Sequence, residues 1–84
     1  MDLEETVKFI NRSSYRLKIV KSIGTGVKMP KTISIETGLL LNHVSYSLKL
    51  LRKKGIVVCL NPDAYKGRLY KLTDMGLKSL KCLK

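Results

Sequence analysis

Apolar residues along this chain fall first at helical and then at strand spacing, and the changes of period mark its elements. Leu3, Val7 and Ile10 recur at intervals of four and three, so a first helix is expected to about Asn11. Asp2 suits its N-cap, and Glu4 and Glu5 place negative charge where the helix dipole favours it. Asn11-Arg12-Ser13-Ser14 interrupts the pattern, and Ser13 or Ser14 can cap a second helix from Tyr15 to about Ile23. There Leu17, Ile19, Val20 and Ile23 form a wide apolar face opposite Arg16, Lys18, Lys21 and Ser22. Gly24-Thr25-Gly26 ends it.

Pro30 fits the first turn of a third, short helix over Lys31 to Thr37, because its fixed φ suits that turn and its missing N–H is not needed there. Ile33 faces inward, and Gly38 stands where a left-handed residue commonly closes a helix. The fourth helix is expected over 42–54. Val44, Leu48 and Leu51 make its apolar stripe; Asn42, Tyr46, Lys49 and Lys53 line the opposite side, flanked by Ser45 and Arg52. Two short helices joined by a tight Gly-containing turn, the second amphipathic and basic, are a helix-turn-helix signature.

After Gly55 the period changes. Ile56-Val57-Val58-Cys59-Leu60 is β-branched and apolar, hence a strand. Asn61-Pro62-Asp63 opens a turn and Gly67 closes it, and Arg68 to Leu72 alternates as a half-exposed strand should. The hairpin carries Tyr65, Lys66 and Arg68 near its tip, within a loop spanning 61–68. Thr73 caps a last helix with Asp74 in its first turn and Leu77, Leu80 and Leu83 along one side. Gly76 inside that turn costs about 1 kcal/mol relative to Ala, which points to close approach by another backbone.

Charge narrows the function. The formal net charge is +11, and from Ser13 onward the chain holds 15 of its 17 cations against Glu36, Asp63 and Asp74. Such a field attracts a polyanion, most often nucleic acid, sometimes an anionic membrane surface. The fourth helix can meet one: Asn and Ser pair with base edges, Lys and Arg hold phosphates. The same pattern also describes a surface helix whose charges are merely solvated.

At 84 residues one domain over 1–84 is expected, with a core that a second copy would help to cover. Cys59 and Cys82 lack C-x-x-C spacing and His43 is the only histidine, so neither a zinc site nor a disulfide framework is indicated, and no cofactor is expected. Cys59 reads as a small core residue. No nucleophile lies beside a base, no Gly-rich phosphate loop is present, and the carboxylates are scattered, which argues against an enzyme. Met1 is followed by acidic residues rather than a signal peptide, and no apolar run approaches the roughly 20 residues of a membrane span. A cytoplasmic protein with no membrane partner is the expectation.

Helices, a two-stranded hairpin and a final helix describe an α+β winged helix-turn-helix, and the sequence resembles ArsR-like and MarR-like regulators of archaea and bacteria. Ser14-Tyr15-Arg16-Leu17-Lys18-Ile19-Val20 is similar to the D-P-T-R-L-R-I-L opening of ArsR-like proteins. Gly38-Leu39, Val44-Ser45 and the run from Leu48 to Val57 resemble their G-L-S-x-S-T-V-S-R-H-L-K-x-L-x-x-x-G-L-V. Gly67-Arg68-Leu69-Tyr70-Lys71-Leu72-Thr73 with Gly76 resembles the wing return and exit.

The resemblance implies a transcription regulator that binds double-stranded DNA, with the fourth helix in the major groove and the hairpin over a neighbouring backbone or minor groove. By the same resemblance Asn42, His43, Ser45 and Tyr46 face bases, Lys49, Arg52 and Lys53 fall toward phosphates, and Lys66 and Arg68 serve the wing. The sequence departs from the pattern at Leu40-Leu41, where a polar cap is usual, and at Tyr46, where Arg is usual. The helix can therefore start at Asn42, with Asn42 serving either as its cap or as a base contact. His43 is a partly buried neighbour of the third helix, a base contact or, least expected, a metal ligand. The ligand clusters of metal-sensing relatives are missing.

The leading expectation is a homodimer joined through the first and last helices; alternatively their leucine-type stripes pack on each other within one chain. A protein-interaction module of transcription or replication machinery and an RNA-binding winged helix are the competing functions. Leu40-Leu41 favours the former, while the aromatic residues form no stacking platform for the latter.

Overall fold

The computed structural model describes residues 1–84. Four helices come first: α1 Leu3–Asn11, α2 Ser14–Ile23, α3 Pro30–Thr37 and α4 Leu41–Lys53. A hairpin of β1 Val57–Cys59 and β2 Tyr70–Leu72 follows, then α5 Asp74–Leu80. The caps anticipated from sequence are formed. The Glu5 N–H donates to Asp2 Oδ1 at 2.8 Å, that of Arg16 to Ser13 Oγ at 3.3 Å, and that of Gly76 to Thr73 Oγ1 at 3.2 Å. Gly38 closes α3 in the left-handed region, at φ 76°.

The core lies where α2, α4 and the hairpin converge. Ile19, Val20 and Ile23 of α2 meet Val44, Leu48 and Leu51 of α4, with Ile33 of α3 and Ile10 of α1 alongside and Ile56, Val57 and Leu72 beneath. Along both strands burial alternates: Val57 and Leu72 pair inward, Val58 and Lys71 outward, Cys59 and Tyr70 inward. Burying each such aliphatic side chain contributes about 1.5–3 kcal/mol relative to leaving it in water.

Both strands are shorter than their sequence runs, because the flanking residues are engaged elsewhere. The Ile56 N–H donates to Leu51 O at 2.9 Å, ending α4, and Ile56 O accepts from the Thr73 N–H at 3.0 Å, starting α5. Arg68 belongs to the loop, although the ladder extends one bond beyond the strands, Leu60 N–H to Leu69 O at 2.8 Å. On the other edge of β2, Lys28 and Tyr70 exchange both backbone bonds at 2.9 Å each. This bridge ties the segment ahead of α3 to the return strand, and the sequence gives no hint of it.

The start of α4 corrects a second expectation. The helix begins at Leu41 with Leu40 as its N-cap, and the Leu40 side chain makes no capping hydrogen bond. Leucine in place of Ser, Asn or Asp there costs about 1 kcal/mol. Asn42 lies inside the helix, its Oδ1 accepting from the His43 N–H at 3.0 Å.

α1 and α5 pack against each other within the chain. Ile10 is fully buried, and Leu77, Leu80 and Leu83 are half-buried against the core. The two stripes thus cover one another, and at this end Met1 and Leu3 remain as exposed large apolar residues. α5 stops at Leu80, so Leu83 reaches the core from the tail beyond it. No helix is long and apolar enough to cross a membrane.

Candidate nucleic-acid interface

Because Val44, Ser47, Leu48 and Leu51 are the buried positions of α4, the 3.6-residue repeat fixes what the rest of the helix presents. Asn42, Tyr46, Lys49 and Lys53 form its outer crest, all exposed. Ser45 and Arg52 lean from that crest toward the hairpin. His43 lies on the other flank, half-buried, its ring stacked on Tyr15 of α2 with centroids 5.0 Å apart. Its neighbour is therefore α2, where the sequence suggested α3.

Between α4 and the hairpin loop runs a cleft of about 500 Å³, walled by Ser45, Lys49 and Arg52 on one side and Tyr65, Arg68 and Tyr70 on the other, with Pro30 between. It continues into a second hollow of about 460 Å³, where Met29, Lys31 and Leu41 face Lys66 and Gly67. The two share Pro30, Ser45, Tyr65 and Arg68, and together they form one groove. Of the residues anticipated from sequence, the groove gathers Ser45, Lys49, Arg52, Lys66 and Arg68. Asn42, Tyr46 and Lys53 stay on the crest above it, and His43 stands apart.

The loop that forms the far wall is held by its own side chains. Asn61 Nδ2 donates to Gly67 O at 3.1 Å, and Asn61 Oδ1 accepts from the Leu69 N–H at 2.7 Å. Arg68 Nε donates to Ala64 O at 3.1 Å, which holds the guanidinium at the groove and leaves its terminal nitrogens for a ligand. Gly67 makes the turn at φ 69°, a conformation glycine adopts without penalty.

The groove is electrostatically open. The ion pairs of the chain are Lys8 with Glu4 and Lys28 with Glu36, so no cation of α4 or of the loop is neutralised by a carboxylate. Lys28, near the groove in sequence, is spent on Glu36. Hydrogen bonds from Lys28 and then Ser22 hold the Glu36 carboxyl below the ordinary carboxylate range. No three His, Cys, Asp or Glu side chains come together as a metal site would require.

Sequence reasoning missed Met29, Lys31 and Leu41 as groove residues and Asn61 as the brace of the loop. The Lys28–Tyr70 bridge is what carries the segment before α3 to the groove, and a single bridged residue leaves no alternation to detect. Leu41 had a signal, the apolar pair where a cap is usual.

By sequence the chain matches no protein-family model and no curated protein. Among solved structures it is similar to TubR bound to 24 bp of tubC, from Bacillus thuringiensis serovar israelensis pBtoxis. The TM-score is 0.81 at 13% identity, over 98% of this chain and 91% of that one. At that identity what the two share is the fold, and this chain has the winged helix-turn-helix fold.

Proposed function

We propose that this chain binds double-stranded DNA sequence-specifically as a small cytoplasmic transcription regulator, of the ArsR-like or MarR-like kind that its motifs resemble. The observation that carries the reading is the groove: Lys31, Lys49, Arg52, Lys66 and Arg68 converge on it from three elements with no carboxylate partner. TubR, which has the same fold, is bound to 24 bp of tubC. An α-helix fits a B-DNA major groove about 12 Å wide, and α4 enters by its crest. Asn42, Ser45 and Tyr46 then address base edges while Lys49, Arg52 and Lys53 hold phosphates. Loop 61–68 brings Lys66 and Arg68 to the adjacent backbone or minor groove. His43 acts from the flank, bracing α4 on α2 through Tyr15.

The longest extent of the molecule is 34 Å, about one turn of B-DNA, so one copy covers roughly a half-site. Two copies side by side complete the regulator, meeting at the α1 and α5 end through Met1 and Leu3.

Selection of bound sequences from a random duplex pool tests the proposal. A consensus with two half-sites is expected; Lys49→Glu should weaken binding to all duplexes, and Tyr46→Ala should mainly relax preference. Enrichment of no sequence, or wild-type binding by Lys49→Glu, overturns it.

A further inference from the structure

Leu41 is the one aliphatic side chain that α4 contributes to the cationic groove, and it is 49% exposed. It stands at the first helical position of α4, directly after the N-cap Leu40. Lys31, Lys66 and Arg68 share its hollow, so the charges around it select a polyanion rather than an apolar partner protein. Ile35 and Leu40, more exposed at 74% and 65%, line neither part of the groove. Ser45 lies one turn further along α4, four residues on and therefore on the same face.

Resting on the DNA-binding reading above, we propose that Leu41 is a specificity residue that recognises the C5-methyl group of thymine. The major-groove edges of the bases offer hydrogen-bond donors and acceptors and, on thymine alone, an apolar methyl. An aliphatic residue at the head of a helix lying in that groove has this single complementary partner. Ser45, able to donate or accept, pairs with the polar edge of the same or the next base pair. The two residues together favour a T·A pair beneath the head of α4.

Replacing thymine by deoxyuridine removes the methyl and leaves base pairing unchanged. In the duplex enriched by selection, thymines are replaced one at a time and affinity is measured by fluorescence anisotropy. The wild-type protein should lose about three- to five-fold at one or two positions, the size of a buried methyl contact. Leu41→Ala should bind thymine and uracil duplexes equally, whereas Leu40→Ala should keep the discrimination. A wild-type protein indifferent to every replacement, or a Leu41→Ala variant that still discriminates, overturns the inference while DNA binding stands. A protein that enriches no duplex removes both.

Discussion

A methyl group on Gly76 would sit 2.4 Å from Ile56 O and 3.1 Å from Leu72 Cβ. The first of these is backbone, held by the Thr73 N–H, and cannot swing aside. Alanine normally favours a helix by about 1 kcal/mol over glycine, but forcing atoms into a packed site costs about 1–3 kcal/mol, more against main chain. Gly76→Ala should therefore lower the thermal midpoint by about 5–15 °C, followed by far-UV circular dichroism. An unchanged midpoint would show that α5 can lift off the hairpin freely. The need for closeness at Gly76 was readable as a glycine inside a leucine-striped turn. Its partner was not, because the place of Ile56 O depends on how the hairpin folds back under α4. His43 teaches the same limit: periodicity gives its angle around the helix, yet not which element waits there.

At the scale of elements, α3 is tied down by one carboxylate. Ser22 of α2 and Lys28 of the following segment both donate to Glu36 Oε1, joining α2, α3 and the bridge to β2. The Glu36 pKa is lowered in the folded chain, chiefly by the Lys28 and Ser22 hydrogen bonds. The tie therefore adds stability above the pKa of the unfolded chain and loses it as pH falls through the lower folded value. Wild type should be more stable than Glu36→Gln near neutrality, and the two should converge in acid, below the usual carboxylate range. Urea unfolding across pH checks this; a gap that persists unchanged into acid contradicts it. The first four helices were legible to within a residue or so because capping and the 3.6 period act locally, whereas the last, expected through Leu83, ends at Leu80. Strand ends were less so, since Ile56 had two helix termini to serve. The head of α4 was misplaced because two leucines occupy what is ordinarily a polar cap.

Across the whole molecule, the net charge of +11 sets what the proposed function predicts for salt. On the proposed reading Lys31, Lys49, Arg52, Lys53, Lys66 and Arg68 meet phosphates, with one or two further lysines at the edges. For six to eight neutralised phosphates, log K should fall with log salt at a slope of about −5 to −7. Anisotropy titrations over a range of salt measure it, and an affinity indifferent to salt would leave the groove without its supposed ligand. The excess of cations was plain in the composition; their convergence was not, because it takes the folded hairpin to bring residues 66 and 68 opposite residues 45, 49 and 52.

Lys28 and Tyr70 hold each other by paired backbone bonds, so Met29, Pro30 and Lys31, which follow Lys28 directly and line the groove, are tied to the return strand. On the proposed reading the protein meets a duplex as a fixed-jaw caliper. A helix whose grooves do not match that gauge must itself bend or narrow, and its stiffness becomes a cost charged to affinity at base pairs no side chain reaches.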